Sequence, residues 1–307
     1  MQAPTLLTGT RQALSAGLRP ASGQPDAAQA VPLIVRPMMP EGTAQRSHGE
    51  AHVALAAGAG GARLAGLRQA GSAKAILPRV AGPPEVVFLN TSGGLTGGDR
   101  LRYGVELAVG LRATATTQTA ERAYRSAGGV ARVDVTHHVG AGGHLDWLPQ
   151  ETILFDGCAL SRRTRIILDG PEASCLMLEA VVLGRAAMGE TVRELLLRDR
   201  REIWRGDRPV LVEPLMLNAA ALQAGAAVLP EGARAFASLA LVAPGAEDAL
   251  APMRAALDEP GVAGGASGFD GKLTLRLIAA DGWPLRRQIL RLLQILRRAP
   301  APRVWQI

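Results

Sequence analysis

Six carboxylates stand in apolar or glycine-rich company along this chain, and a carboxylate so placed either pairs with a cationic side chain or holds a cation. Asp99 closes the stretch Asn90-Thr-Ser-Gly-Gly-Leu-Thr-Gly-Gly-Asp99. Glu121 falls within Thr116-Thr-Gln-Thr-Ala-Glu-Arg-Ala-Tyr-Arg-Ser126, and Glu151 and Asp156 flank Thr152-Ile-Leu-Phe155. Glu179 interrupts the apolar run from Leu176 to Leu183, and Glu190 ends Gly184-Arg-Ala-Ala-Met-Gly189. A charge on a buried strand is costly unless it is paired or hydrogen-bonded. One answer is structural, with Arg100, Arg122, Arg125 or Arg185 as partners. The other is chemical: a weak, oxygen-rich route for a metal ion or proton.

Other chemistries have less to stand on. Imidazoles bind nickel, zinc or copper, and His137-His138 with His144 could suggest such a site. Adjacent residues of a strand point to opposite faces, however, so His137 and His138 cannot serve one site. Gly140, Gly142 and Gly143 break the strand before His144. The expectation is partly exposed surface histidines. The glycine-rich loop fails as a phosphate cradle. A P-loop needs four residues between its glycines and then Lys-Ser/Thr. Gly94 and Gly98 are separated by three, and Asp99-Arg100 follows. The chain contains no Gly-x-Ser-x-Gly elbow and no His-Glu-x-x-His pair.

The elements that must carry these residues are mostly strands. Short runs at His52–Leu55, Ala62–Ala65, Lys74–Val80, Glu85–Leu89, Leu101–Val109 and Arg112–Ala120 are separated by Gly, Pro or Asp. Val130–Val139, His144–Leu148, Arg163–Leu168, Ser174–Leu183 and Lys272–Ile278 continue the series. So many short strands predict a mainly β protein: a sandwich, a barrel or a solenoid. Helices are few: Leu215–Val228, Ala246–Asp258 and Pro284–Arg298. In the last, Leu285, Ile289, Leu292, Leu293 and Leu296 form one stripe with arginines opposite, which predicts an amphipathic helix packed on its own sheet. Residues 1–47, rich in Ala, Pro, Gly, Ser and Gln, read as a flexible leader, with one β-rich domain over 48–307.

Composition narrows the class. The chain has 307 residues and a net charge of +7, carried almost wholly by arginine, since Lys74 and Lys272 are the only lysines. A basic surface suits nucleic acid, anionic lipid or an acidic protein partner. Apart from Arg198-Asp199-Arg200-Arg201 and the C-terminal arginines, the arginines are spread along the chain, without aromatic residues to stack bases, which favours a solvated face or a protein interface. Cys158 and Cys175 make no disulfide framework or metal knuckle, and a reducing, cytoplasmic setting is expected.

Four blocks, taken in order, carry a family resemblance: Asn90 to Leu101, Thr116 to Ser126, Leu145-Asp-Trp-Leu-Pro-Gln-Glu-Thr-Ile-Leu-Phe-Asp-Gly157, and Leu183-Gly-Arg-Ala-Ala-Met-Gly-Glu190. With Gly71-Ser-Ala-Lys-Ala-Ile-Leu-Pro-Arg79, Phe269-Asp-Gly-Lys-Leu273 and Pro302-Arg-Val-Trp305, they resemble the urease accessory proteins called UreD or UreH over about residues 48 to 307. The resemblance implies an elongated β-helix-like stack with a few helices. It implies a non-enzymatic assembly factor that binds apo-urease and recruits UreF, which docks the GTPase UreG. It also implies nickel in transit, without a tightly bound cofactor, and no nucleic acid or membrane partner. Within the matched blocks, Asp99, Glu121, Glu151, Asp156, Glu179 and Glu190 become the candidates for lining a nickel path. The competing readings are a phosphate- or nucleic-acid-binding protein using the glycine loop and basic surface, or a protein lying on a membrane through its arginine helix.

Overall fold

Alternation of apolar and polar residues sets the strands, and the turns between them decide which of two sheets each strand joins. The computed structural model describes residues 46–224, 229–230, 232–297 and 299–305. Nearly all of the expected leader therefore lies outside the described residues. The chain enters at β1 (His48–Gly58), reverses at Ala59-Gly60 into β2 (Gly61–Gly71), and crosses to a second sheet as β3 (Ala73–Ile76) and β4 (Glu85–Asn90). It then alternates. β5 (Arg100–Leu107), β8 (Ala131–Val139) and β11 (Cys158–Leu168) join the first sheet. Between them, β6 (Arg112–Thr117), β9 (His144–Leu148) and β12 (Ser174–Leu183) join the second. Two short strands, β7 (Glu121–Ala123) and β10 (Thr152–Leu154), pair with each other, and β10 also pairs with β12. The hairpin β13 (Leu195–Arg205) and β14 (Arg208–Asn218) ends the first sheet, and β15 (Ala235–Val242), β16 (Val262–Phe269) and β17 (Lys272–Ala279) end the second.

The molecule is thus mainly β, as expected, but its sheets are open. Among the described residues neither closes on itself, and each ends in antiparallel strands. The expected elongated solenoid is therefore not what the sheets form as a whole. Tight turns at Ala59-Gly60 and Gly206-Asp207 return the chain into the same sheet instead of winding it onward. Only the middle alternates between sheets, with parallel neighbours β1, β5, β8, β11 and β13 in one and β4, β6, β9 and β12 in the other.

The second sheet is covered on both faces. Along β12, Cys175, Met177, Val181 and Leu183 join the core shared with the first sheet, and Leu176, Leu178 and Ala180 join a second core. That two-sided burial explains why the sequence there is continuously apolar. The second core packs α2 (Leu250–Ala255) and α3 (Gly282–Arg297) through Met253, Leu285, Ile289, Leu292 and Leu293. Polar clasps fix α3. Arg297 Nε donates to Asp146 Oδ2 at 2.7 Å, and Arg286 Nη1 to Glu151 Oε2 at 3.1 Å. Past the helix, Trp305 donates its indole N–H to Leu148 O at 3.0 Å, under the Arg286 guanidinium.

Two helix expectations came out as expected: α3, and a helical stretch at Ala246–Ala255, whose first turn is 3-10 and continues as α2. The helix expected at Leu215–Val228 is mostly something else. Leu215 and Leu217 belong to β14, only the five-residue α1 (Ala219–Gln223) is helical, and residues 225–228 lie outside the described residues. Asn218 ends that strand and caps α1 by accepting from the Ala221 N–H at 2.8 Å.

Candidate functional site: a carboxylate chamber between the sheets

The glycine loop builds one wall. At Gly97 a side chain would meet Ser126 Oγ at 2.0 Å and Gly128 O at 2.3 Å, and at Gly94 it would meet the Tyr124 ring at 2.3 Å. The loop therefore lies flat on the segment that follows β7, and only glycine permits that approach. The contact is sealed by Leu95 N–H to Arg122 O and Tyr124 N–H to Leu95 O, both 2.7 Å. Leu95, now buried, becomes part of a chamber wall. At the start of the loop, the Asn90 amide lies 3.4 Å from each oxygen of Glu121. Asp99 does a different job. Its two oxygens accept the N–H groups of Ser47 at 2.7 Å and Thr96 at 2.8 Å. The loop's own carboxylate takes a backbone donor that an anion would need, which counts against the phosphate reading.

Behind the loop lies a chamber of about 40 Å3 lined by Glu121, Glu179, Arg162, Gln150, Thr152 and Tyr103, among others. It has room for water-sized occupants. Glu121, Tyr103 and Thr117 also line a vestibule of about 50 Å3 with Asn90, Gln118 and Arg122. Glu121 thus lines both cavities. Burial pushes its carboxyl up to about 7, against the opposing pull of the Asn90 amide and the Arg122 N–H. The same burial raises the Tyr103 phenol.

Glu179 is 2% exposed. One oxygen accepts from Thr164 Oγ1 at 2.7 Å and Trp147 Nε1 at 3.1 Å. The other, Oε2, lies 2.6 Å from Arg162 Nη1 as an ion pair, yet no N–H is aligned on it. Arg162 gives its aligned donors elsewhere: Nε and Nη2 to Asp199 at 3.0 and 2.6 Å, and Nη1 to Thr152 Oγ1 at 3.0 Å. Asp199 also takes Arg201, which reaches Glu213 at 3.1 Å. Flanked by the two guanidiniums, Asp199 is held below the usual carboxylate range despite its burial.

Of the six sequence candidates, the chamber therefore brings together Glu121 and Glu179. The other four do not line it and have partners elsewhere. Asp99 clamps the loop, and Glu151 holds α3 through Arg286. Asp156 accepts the N–H groups of Glu194 at 3.0 Å and Arg193 at 2.8 Å, with the Arg125 side chain beside it. Those backbone donors, the Glu194 N–H foremost, hold it below its ordinary value. Glu190 accepts from Arg185 Nε at 2.8 Å and from the N–H of Asp156 at 3.2 Å. Burial there pushes upward, and these hydrogen bonds outweigh it.

The histidine expectation fails at one position. His137 is fully buried against Trp147, with ring centroids 4.7 Å apart, and His138 on the opposite face is exposed. Burial lowers the His137 imidazole to about 3, so it is neutral; its Nδ1 accepts from the Val105 N–H. Arg162 was not singled out from the sequence. The strand was expected to begin at Arg163, but β11 begins at Cys158, which places Arg162 on the inward row with Leu160 and Thr164. Among the described residues, no three His, Cys, Asp or Glu side chains converge as a closed metal site. The chamber offers two carboxylates, while Gln150 Oε1 already accepts from Arg286 Nη1 at 3.0 Å and Thr152 Oγ1 from Arg162 Nη1 at 3.0 Å.

These features define a mainly β two-sheet protein whose glycine loop walls a carboxylate chamber. The chain belongs to the UreD urease accessory protein family, whose model matches residues 47–306. Similar proteins include the urease accessory protein UreD of Cereibacter sphaeroides, 66% identical over 270 residues that cover 87% of this chain and 98% of that one. The protein of the same name from Paracoccus denitrificans is 56% identical, covering 86% of this chain and 93% of its own length. That of Rhizobium leguminosarum bv. trifolii is 46% identical, covering 86% and 96%.

Proposed function

We propose that this chain is a non-catalytic factor in urease maturation, a cytoplasmic scaffold that binds apo-urease and, with UreF and the GTPase UreG, enables nickel insertion. Its alternating parallel middle serves as a β-helix-like frame for an internal nickel path. The observation that carries the path is that Glu121 lines both cavities and shares the chamber with Glu179. Nickel in transit needs ligands that release it. The two carboxylates provide oxygen donors, and a lining without thiolate or imidazole keeps the site weak. Nickel is cargo here, so no resident cofactor is required.

The test is the nickel content of urease matured in cells with and without this chain, all other accessory proteins being present. Assembled but nickel-poor urease in its absence supports the role. Equal loading removes it and reopens the phosphate- or nucleic-acid-binding reading of the basic surface.

A further inference from the structure

We propose that Arg162 is a tethered counter-cation that neutralises Glu179 while the chamber is empty and yields it to an arriving divalent metal ion. The inference rests on the path proposed above and concerns how that path avoids trapping its cargo. The geometry has three parts. Arg162 is anchored away from Glu179: its fork closes on Asp199 at 3.0 and 2.6 Å, and Nη1 donates to Thr152 at 3.0 Å. Its contact with Glu179 is close, 2.6 Å, but lacks an aligned N–H. Glu179 is fixed through its other oxygen by Thr164 and Trp147.

The oxygen left for a cation is thus the one whose only partner is a charge with its own anchor. A dication that reaches Glu179 replaces the Coulombic contact with Arg162. The guanidinium stays on Asp199, a few ångströms away, and repels the bound ion. When the ion leaves, Arg162 resumes its role without a search through rotamers. Attraction by Glu121 and Glu179 is offset by a fixed positive charge, so the metal is held loosely. Without that charge, buried Glu179 and half-buried Glu121 would hold a dication tightly, because like charges in a poorly solvated site favour any cation that neutralises them.

The test uses the full chain and nickel(II) chloride alone, read by calorimetry, together with the nickel content of urease in cells. Arg162→Gln is expected to bind nickel roughly tenfold more tightly and yet deliver less of it, leaving urease nickel-poor. A merely structural arginine would lower both. Nickel binding that is unchanged or weaker in a folded Arg162→Gln protein overturns the proposal. Should that variant fail to fold, Thr152→Val decides. It removes the neutral acceptor of Nη1, turns that donor onto Glu179, and should weaken nickel binding roughly threefold; unchanged affinity overturns the proposal. The two readings fail differently. If Glu121→Gln and Glu179→Gln each weaken nickel binding but Arg162→Gln does not strengthen it, only the counter-cation role falls. If neither glutamate variant changes nickel binding, the path falls with it.

Discussion

Glu179 and Asp156 show how two carboxylates in similar company come to different ends. Glu179 sits in a fully buried ionic chain, where removing one partner strands the rest. Glu179→Ala leaves Arg162 with Asp199 as its one remaining anion and the Thr164 and Trp147 donors unmet, and should cost about 3–5 kcal/mol in chemical denaturation. Asp156→Ala breaks two backbone hydrogen bonds and an ion pair at a loop. It should cost about 1–3 kcal/mol and leave urease nickel content unchanged, since Asp156 lines neither cavity. Glu121 carries the pH dependence. Its folded value, about 7, lies above the ordinary 4.5, so the folded protein binds the extra proton. Its contribution is therefore complete below pH 4.5 and is lost as pH rises through 7. Glu121→Gln should match the wild type in melting temperature near pH 4 and exceed it near pH 8; equal melting at both would refute the burial of that charge. The six carboxylates were legible from the sequence because each interrupts an apolar or glycine-rich run. Which two would meet was not, because that depends on long-range pairing of β7, β10 and β12.

At the level of elements, hydrophobic period revealed what it measures. The α3 stripe was legible because Leu285, Ile289, Leu292 and Leu293 repeat at helical spacing and all face the second core. Leu292→Ala should cost about 2–5 kcal/mol, measured by denaturation, because the residue is fully buried. The hairpin β13–β14 was missed. Arg198-Asp199-Arg200-Arg201 looks like a solvated charge cluster, yet on β13 Asp199 and Arg201 are buried while Arg198 and Arg200 are exposed. Alternation is present in that segment, but it is written in ion pairs, and an apolar/polar pattern cannot show it. The clasp at the end of α3 gives a second element-scale prediction. Asp146 joins Arg297 to His144, which lies 2.9 Å from it. Asp146→Asn should speed amide exchange in the last turn of α3 and leave the first turn unchanged; uniform exchange along the helix would show that the clasp does not hold that end.

For the whole molecule, the two sheets divide the work. The second sheet, covered on both faces, gives the rigid floor. The crossings between sheets place the glycine loop, β7 and β10 around one chamber. The mainly β class and the family were legible from ordered sequence blocks. The openness of the sheets was not, since strand periodicity is the same in a sandwich and a coil, and short turns such as Gly206-Asp207 decide between them. No helix among the described residues is long and apolar enough to cross a membrane, and the arginine helix spends its apolar face on the second core.

The central claim is that nickel reaches urease through the chamber that Glu121 and Glu179 share. The most direct measurement is the nickel content of urease isolated from cells carrying Glu121→Gln together with Glu179→Gln, with the amount of the variant chain retained on apo-urease measured in parallel. The account predicts a variant that still binds apo-urease while the urease is assembled and nickel-poor. Urease carrying its full nickel in the presence of that variant would contradict it.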